Sequence, residues 1–173
     1  MQEPAQTLVT GLSEGAKRLM RLAISALARR EHSRVEIERK LQRQLREADG
    51  ETPADITLIV DRLQARGLLS DQRMAQALVR TRSQRYGRLR ILQELQRRGV
   101  DRETIAAALP ATHDDSLAAR TLWQRKFGKA PTTPLERARQ GRFLAARGFA
   151  PALIARILTV GEDESVPESS ETN

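Results

Sequence analysis

The 173-residue chain contains no cysteine, which excludes a disulfide framework and a thiolate metal site. Aromatic residues make up only 3% of it, so leucine, isoleucine and alanine must supply the core. Glycine (10) and proline (7) are few, which leaves long stretches without helix breakers. No apolar run approaches the roughly 18 residues needed to cross a bilayer. The first residues lack a hydrophobic secretory core with a small-residue cleavage site. These absences predict a cytoplasmic protein without membrane contact. Catalytic constellations are missing as well: the only histidines are His32 and His113, and there is no phosphate-cradling glycine loop with its lysine, no H-E-x-x-H and no nucleophile elbow. His32 falls at a helix boundary, and His113-Asp114-Asp115 reads as a helix N-terminus, where acids favour the macrodipole. The expectation is therefore no enzyme, no metal and no cofactor.

Acids are also in deficit, with 22 Asp+Glu against 30 Lys+Arg and a net charge of +8. Lysine occurs only at Lys17, Lys40, Lys126 and Lys129, so nearly all of the positive charge is arginine. The planar guanidinium fork suits bidentate contact with phosphate or carboxylate, and a basic balance of this size favours a polyanionic partner, nucleic acid foremost. The densest stretch is "RSQRYGRLRILQELQRRGV", where Arg82, Arg85, Arg88, Arg90, Arg97 and Arg98 share one segment with a single acid, Glu94. A solvated helix face is the competing explanation for such a run.

Hydrophobic periodicity predicts helices almost throughout. Leu19, Leu22, Ala23, Ala26 and Leu27 form one stripe at helical spacing. Ser33 to Glu36 is a capping box ahead of Val35, Ile37, Leu41 and Leu45. Thr52-Pro53 opens the next helix, with Ile56, Ile59, Val60 and Leu63 inward and Gly67 as its stop. Ser70 caps a helix carrying Met74, Ala77 and Leu78, Leu89, Leu92 and Leu95 carry the following one to Gly99, and Asp101 caps a short one through Leu109. Helices over Leu117 to Phe127, after a capping box at Thr133 to Glu136, and from Pro151 complete the chain. No segment alternates with the two-residue period of a half-buried strand, so the fold class is all-α.

An internal repeat underlies these helices. "LQRRGVDRETIAAAL" (95–109) aligns without a gap on "LAARGFAPALIARIL" (144–158), and "HSRVEIERKL" (32–41) matches "YGRLRILQEL" (86–95) at Arg34/Arg88, Ile37/Ile91 and Leu41/Leu95. The pattern predicts three tandem three-helix repeats over 14–67, 68–110 and 111–160, of a length typical of helical arrays. The first repeat carries a loop-like insertion at about 46–53. Thin units with few aromatics are expected to stack into an elongated, curved body. Residues 1–13 read as a flexible segment and 161–173 as an acidic disordered tail. Trp123, Phe127, Phe143 and Phe149 are expected to pack in the core. Tyr86 stands among Arg85, Gly87 and Arg88 at a helix break, a place where an aromatic and basic groups could meet a single strand, although packing is its expected fate.

Taken together, "REHSRVEIERKL", "RGLLSDQRMAQALVRTRSQRYGRLRILQELQRRGV", "ARTLWQRKFG" and "RFLAARGF", in that order, resemble the RecX family, bacterial regulators of the RecA recombinase. The likeness covers about Leu22 to Leu158, its most specific parts being Gly67-Leu68-Leu69 with Asp71, Arg85-Tyr86-Gly87 to Glu94-Leu95, and Arg147-Gly148-Phe149. The resemblance implies a small all-helical protein of tandem three-helix repeats that binds the RecA filament on single-stranded DNA, lies in its helical groove, and restrains filament growth, ATPase, strand exchange and co-protease activity. A monomer that meets single-stranded DNA directly or through RecA is the expectation for its assembly and partners. It carries no catalytic motif. Charge and position in this chain nominate Arg29, Arg30, Arg34, Arg82, Arg85, Tyr86, Arg88, Arg90, Arg97 and Arg98 as the RecA- or DNA-binding residues. A general single-stranded nucleic-acid-binding module and a helical scaffold for another protein are the alternative functions.

Overall fold

The computed structural model describes residues 8–45 and 51–163. The far ends of both expected tails and the middle of the insertion, 46–50, lie outside the described residues. Nine helices and no strand are found among the described residues: α1 (Glu14–Leu27), α2 (Arg34–Gln42), α3 (Pro53–Ala65), α4 (Asp71–Arg82), α5 (Arg88–Arg97), α6 (Arg102–Ala108), α7 (Ser116–Lys126), α8 (Pro134–Ala145) and α9 (Pro151–Asp163). The chain is an all-α helical repeat array.

Most helix starts follow the local chemistry. Ser33 and Glu36 make the reciprocal capping box of α2, and Thr52 and Asp55 make another at α3. Ser70 Oγ accepts the Arg73 N–H at 3.2 Å, and Asp101 accepts the Thr104 N–H at 2.8 Å. At α8 only half of the expected box forms. Thr133 accepts the Glu136 N–H, but the Glu136 carboxylate turns to the N–H and hydroxyl of Thr132 at 2.8 and 3.0 Å.

The described residues form two compact units, one up to Leu78 with Leu95–Ala108, the other Val79–Glu94 with the residues from Leu109 on. In the first, α1, α2 and α3 enclose Leu19, Met20, Ile37, Leu41, Ile59 and Leu63, all fully buried. Leu8 and Leu12, read from the sequence as part of the flexible segment, close this core and are buried in it. Leu8 lies in a helical turn and Leu12 just past it, after Gly11 at φ +72°, too short a pattern to stand out in the sequence. Arg18 grips the Glu51 carboxylate with Nε and Nη2 at 2.7 and 2.8 Å and reaches the Gln44 carbonyl at 2.5 Å. The Glu51 side chain is wholly buried, so the end of the insertion is anchored on α1.

In the second unit, α7, α8 and α9 surround Trp123, Leu144, Phe149, Ile154 and Leu158. Gln140 occupies the slot that holds Ile37 and Ile91 in the other repeats, and its amide is buried. It accepts the Trp123 indole N–H at 2.6 Å and donates to the Lys129 carbonyl at 3.2 Å, so both of its ends are satisfied. Helix α9 continues to Asp163, into the stretch read as tail. Leu89, grouped by spacing with Leu92 and Leu95, is 43% exposed, and Ile91 takes the inward place.

One arrangement recurs in both units. In the first, the start of α2 meets the turn after α5: Ser33 Oγ donates to the Arg98 carbonyl at 2.5 Å, and Gly99, at φ +76°, lies where a Cβ would strike Val35. In the second, the start of α5 meets the turn after α8: Gly87 N–H donates to the Arg147 carbonyl at 2.9 Å and Leu89 N–H to the Gly148 carbonyl at 3.2 Å. An arginine-glycine turn thus docks on the middle helix of the preceding repeat, which is the physical reason this dipeptide recurs in the sequence.

Candidate anion-binding groove

The nominated arginines separate into those held by the fold and those left free. Arg34 is held by Glu38 at 2.7 Å, Asp61 at 2.8 Å and the Gln64 side chain. Arg30 and Arg98 both reach Glu36 at 3.1 Å. Burial alone would raise the Glu36 carboxyl, but the Ser33 N–H and these two guanidinium groups outweigh it and hold the carboxyl below its ordinary range. Arg82 pairs with Glu94 at 3.3 Å, and Arg88 Nε donates to the Pro110 carbonyl at 3.1 Å. Arg90 donates to the Ala146 carbonyl at 2.9 Å and lies 4.4 Å from the Tyr86 ring centroid. These cations are partly neutralised or tied to backbone, and the spacing along the helices could not reveal it because most partners are distant in sequence.

Arg29 and Arg97 are exposed in the first unit, without side-chain partners among the described residues. In the second unit, Arg85 and Tyr86 come together with Arg125, Lys126, Phe143 and Arg147 around a groove of about 570 Å³. The other lining residues are Gln84 and Leu122, so among the described residues no acid faces it. Arg85, Arg125 and Lys126 are exposed and make no ion pair among the described residues. Arg147 stacks on Phe143, its guanidinium carbon 3.7 Å from the ring centroid, and donates to the Phe143 carbonyl at 3.0 Å. Phe143 also meets Phe127 edge to face at 5.2 Å, so it packs as expected while still lining the groove.

Sequence reasoning missed Arg125, Lys126 and Arg147. The first two close α7, where cations complement the helix C-terminus, and Arg147 belongs to the docking turn described above. The available signal was the interleaving of basic and aromatic residues in "WQRKFG". What the fold adds is convergence, since residues near 85, 125 and 147 meet only after folding. Converging cations without local acids create a positive potential focused by the groove walls, a ready site for an anion. Among the described residues no group of His, Asp and Glu is placed to hold a metal, and no helix is long and apolar enough to cross a membrane.

Comparison with known proteins agrees with this architecture. Residues 70–109 match the RecX second three-helix domain and 114–158 the third. The chain is 41% identical over 143 residues to the regulatory protein RecX of Leptothrix cholodnii, covering 82% of this chain and 88% of the relative. It is 44% identical over 142 residues to that of Pseudomonas entomophila, covering 80% and 88%. A crystal structure of RecX from Lactobacillus salivarius superposes with a TM-score of 0.71 at 20% identity, over 87% of this chain and 99% of the other. The chain belongs to the RecX family and is a regulatory protein built of helical repeats, not an enzyme.

Proposed function

We propose that this protein binds the filament formed by the RecA recombinase on single-stranded DNA and restrains its growth, and with it ATP hydrolysis, strand exchange and co-protease activity. Family membership supplies the regulatory role. The observation that carries the finer reading is the groove of Arg85, Arg125, Lys126 and Arg147, lined by no acid among the described residues, because a RecA–DNA filament is a polyanion that such a surface would attract. Restraint by binding alone suits a chain without catalytic constellations.

The test is RecA ATP hydrolysis on single-stranded DNA at rising concentrations of the chain. Hydrolysis should fall, and the chain should co-sediment with RecA filaments. Full hydrolysis at saturating, folded chain would overturn the reading.

A further inference from the structure

We infer that the groove of the second unit binds a single-stranded polynucleotide directly, with phosphates on Arg85, Arg125 and Lys126 and a base against the Tyr86–Phe143 side. The inference deepens the filament reading by naming what this groove touches. Three observations carry it. First, among the described residues Arg85, Arg125 and Lys126 have no side-chain partner, and no acid lines the groove. Second, two aromatic rings border the same space, each with a guanidinium over it: Arg90 on Tyr86, and Arg147, which lines the groove as well, on Phe143. Such stacked planes offer surfaces on which an unpaired base can lie regardless of its identity.

Third, the cationic path continues. Lys126 also lines a neighbouring depression of about 320 Å³ with Lys129 and Arg139, the latter 5.5 Å from the Phe127 ring centroid. Glu136, the one acid there, already accepts from the N–H and hydroxyl of Thr132. Two adjacent depressions sharing one lysine fit a polymer of repeated charges better than a single small anion. A duplex keeps its base faces stacked and hidden, so the rings would add nothing for it. An acidic peptide would engage the cations but leave the aromatic planes unused.

The experiment uses the full chain without RecA and measures fluorescence anisotropy of a labelled oligothymidylate of about 20 nucleotides, long enough to span a typical single-strand site. Parallel probes are an abasic oligomer of equal phosphate number, a duplex and polyglutamate. The triple variant Arg85→Ala/Arg125→Ala/Lys126→Ala is compared with Arg43→Ala/Arg66→Ala/Arg102→Ala, which removes equal charge from exposed positions of the first unit that have no side-chain partner among the described residues. The groove variant should bind oligothymidylate at least about tenfold more weakly. Its salt-dependence slope should shrink by about 2, from roughly 0.7 for each of the lost phosphate contacts. The control should stay near the parent, and the abasic and duplex probes should bind the parent more weakly than oligothymidylate. Parent-like affinity of the folded groove variant, or polyglutamate binding as tightly as oligothymidylate, would overturn the inference. Because RecA is absent, this result stands apart from the ATPase test: loss of regulation with intact groove binding would sink only the filament reading.

Discussion

The Asp115 carboxylate accepts the backbone N–H of Arg88 at 2.7 Å. Asp115 is the residue just before α7, yet its side chain makes no capping bond to its own helix and instead serves the start of α5. The first unit repeats the device, with Asp71 accepting the Arg34 N–H at 2.6 Å. Arg34 and Arg88 are first residues of their helices, where the N–H has no partner within the helix. An acid at the head of each following repeat therefore caps the middle helix before it, so capping and repeat docking are one interaction.

Burial raises the carboxyls of both Asp71 and Asp115, although the hydrogen bonds from Arg34 and Arg88 pull the other way. Asp115 Oδ1 accepts no hydrogen bond, and His113 Nε2 lies 3.4 Å from it without hydrogen-bond alignment. Asp115→Ala should cost about 1 kcal/mol, the usual value of a lost helix cap, whereas Asp115→Asn keeps an acceptor and should melt near the parent at pH 7. With the folded pKa raised, the favourable contribution is complete below the unfolded value of about 3.9 and is lost as pH rises through the folded value. The parent should therefore gain on Asp115→Asn as pH falls through that range. Thermal melts across pH check this, and an alanine variant as stable as the parent would exclude the capping role.

Gly148 sits at φ +81°, and a Cβ there would lie 2.5 Å from the Arg90 backbone nitrogen and Cβ. Gly87 is similarly enclosed, against the Gly148 carbonyl. Gly67 also has positive φ, +67°, but faces open space. Gly148→Ala should cost about 3 kcal/mol or more, because left-handed strain and a backbone clash add. Gly67→Ala should cost only about 1–2 kcal/mol, the strain alone. Equal melting temperatures for the two would show that the docking turn yields freely.

Much of this fold is legible in the sequence because its signals are local. Ser33 and Glu36 cap across one turn, and Ile37, Leu41, Ile91 and Leu95 recur at helical spacing. The rest depends on tertiary partners. Glu51 looks like a loop acid until Arg18 buries it, and Gln140 looks like a surface residue until Trp123 and Lys129 satisfy its amide. The arginines illustrate both sides: their charge is evident, but Arg34 is held by Asp61 and Gln64, which no helical period connects to it, whereas Arg85 meets no such partner among the described residues.

The Arg18–Glu51 pair gives a third prediction. Removing one partner of a buried ion pair leaves an uncompensated charge, which costs about 3–5 kcal/mol in fully buried cases. Arg18 remains 26% exposed, so Glu51→Ala should cost less, about 2 kcal/mol. Denaturant unfolding checks the value, and no change would mean that solvent compensates Arg18 fully.

Leu95 and Leu144 are aligned by the repeat and both are fully buried. Each leucine-to-alanine change should cost about 2–5 kcal/mol through lost transfer energy and a residual cavity. Leu135, 76% exposed, should tolerate alanine within about 0.5 kcal/mol. Should Leu95→Ala and Leu144→Ala unfold with Leu135→Ala, the assignment of core faces is wrong.

Arginine variants separate structural from binding charge most directly. Arg34→Ala deprives Glu38, Asp61 and Gln64 of a shared donor. It should lower stability by about 1 kcal/mol, since several partly exposed contacts act together although single exposed pairs are weak. Arg98→Ala should destabilise chiefly at neutral pH. The Glu36 carboxyl is held low in the folded state, so the stability it contributes is present above the ordinary carboxylate range and lost as pH falls through the folded value. Arg85→Ala and Arg125→Ala break no such contact and should melt within about 0.5 kcal/mol of the parent, yet each should weaken filament binding and ATPase inhibition. Thermal melts paired with the ATPase assay sort the variants into two groups. A variant of Arg85 or Arg125 that keeps both stability and full inhibition would place recognition outside the groove, with the exposed Arg29 and Arg97 of the first unit as the next positions to replace.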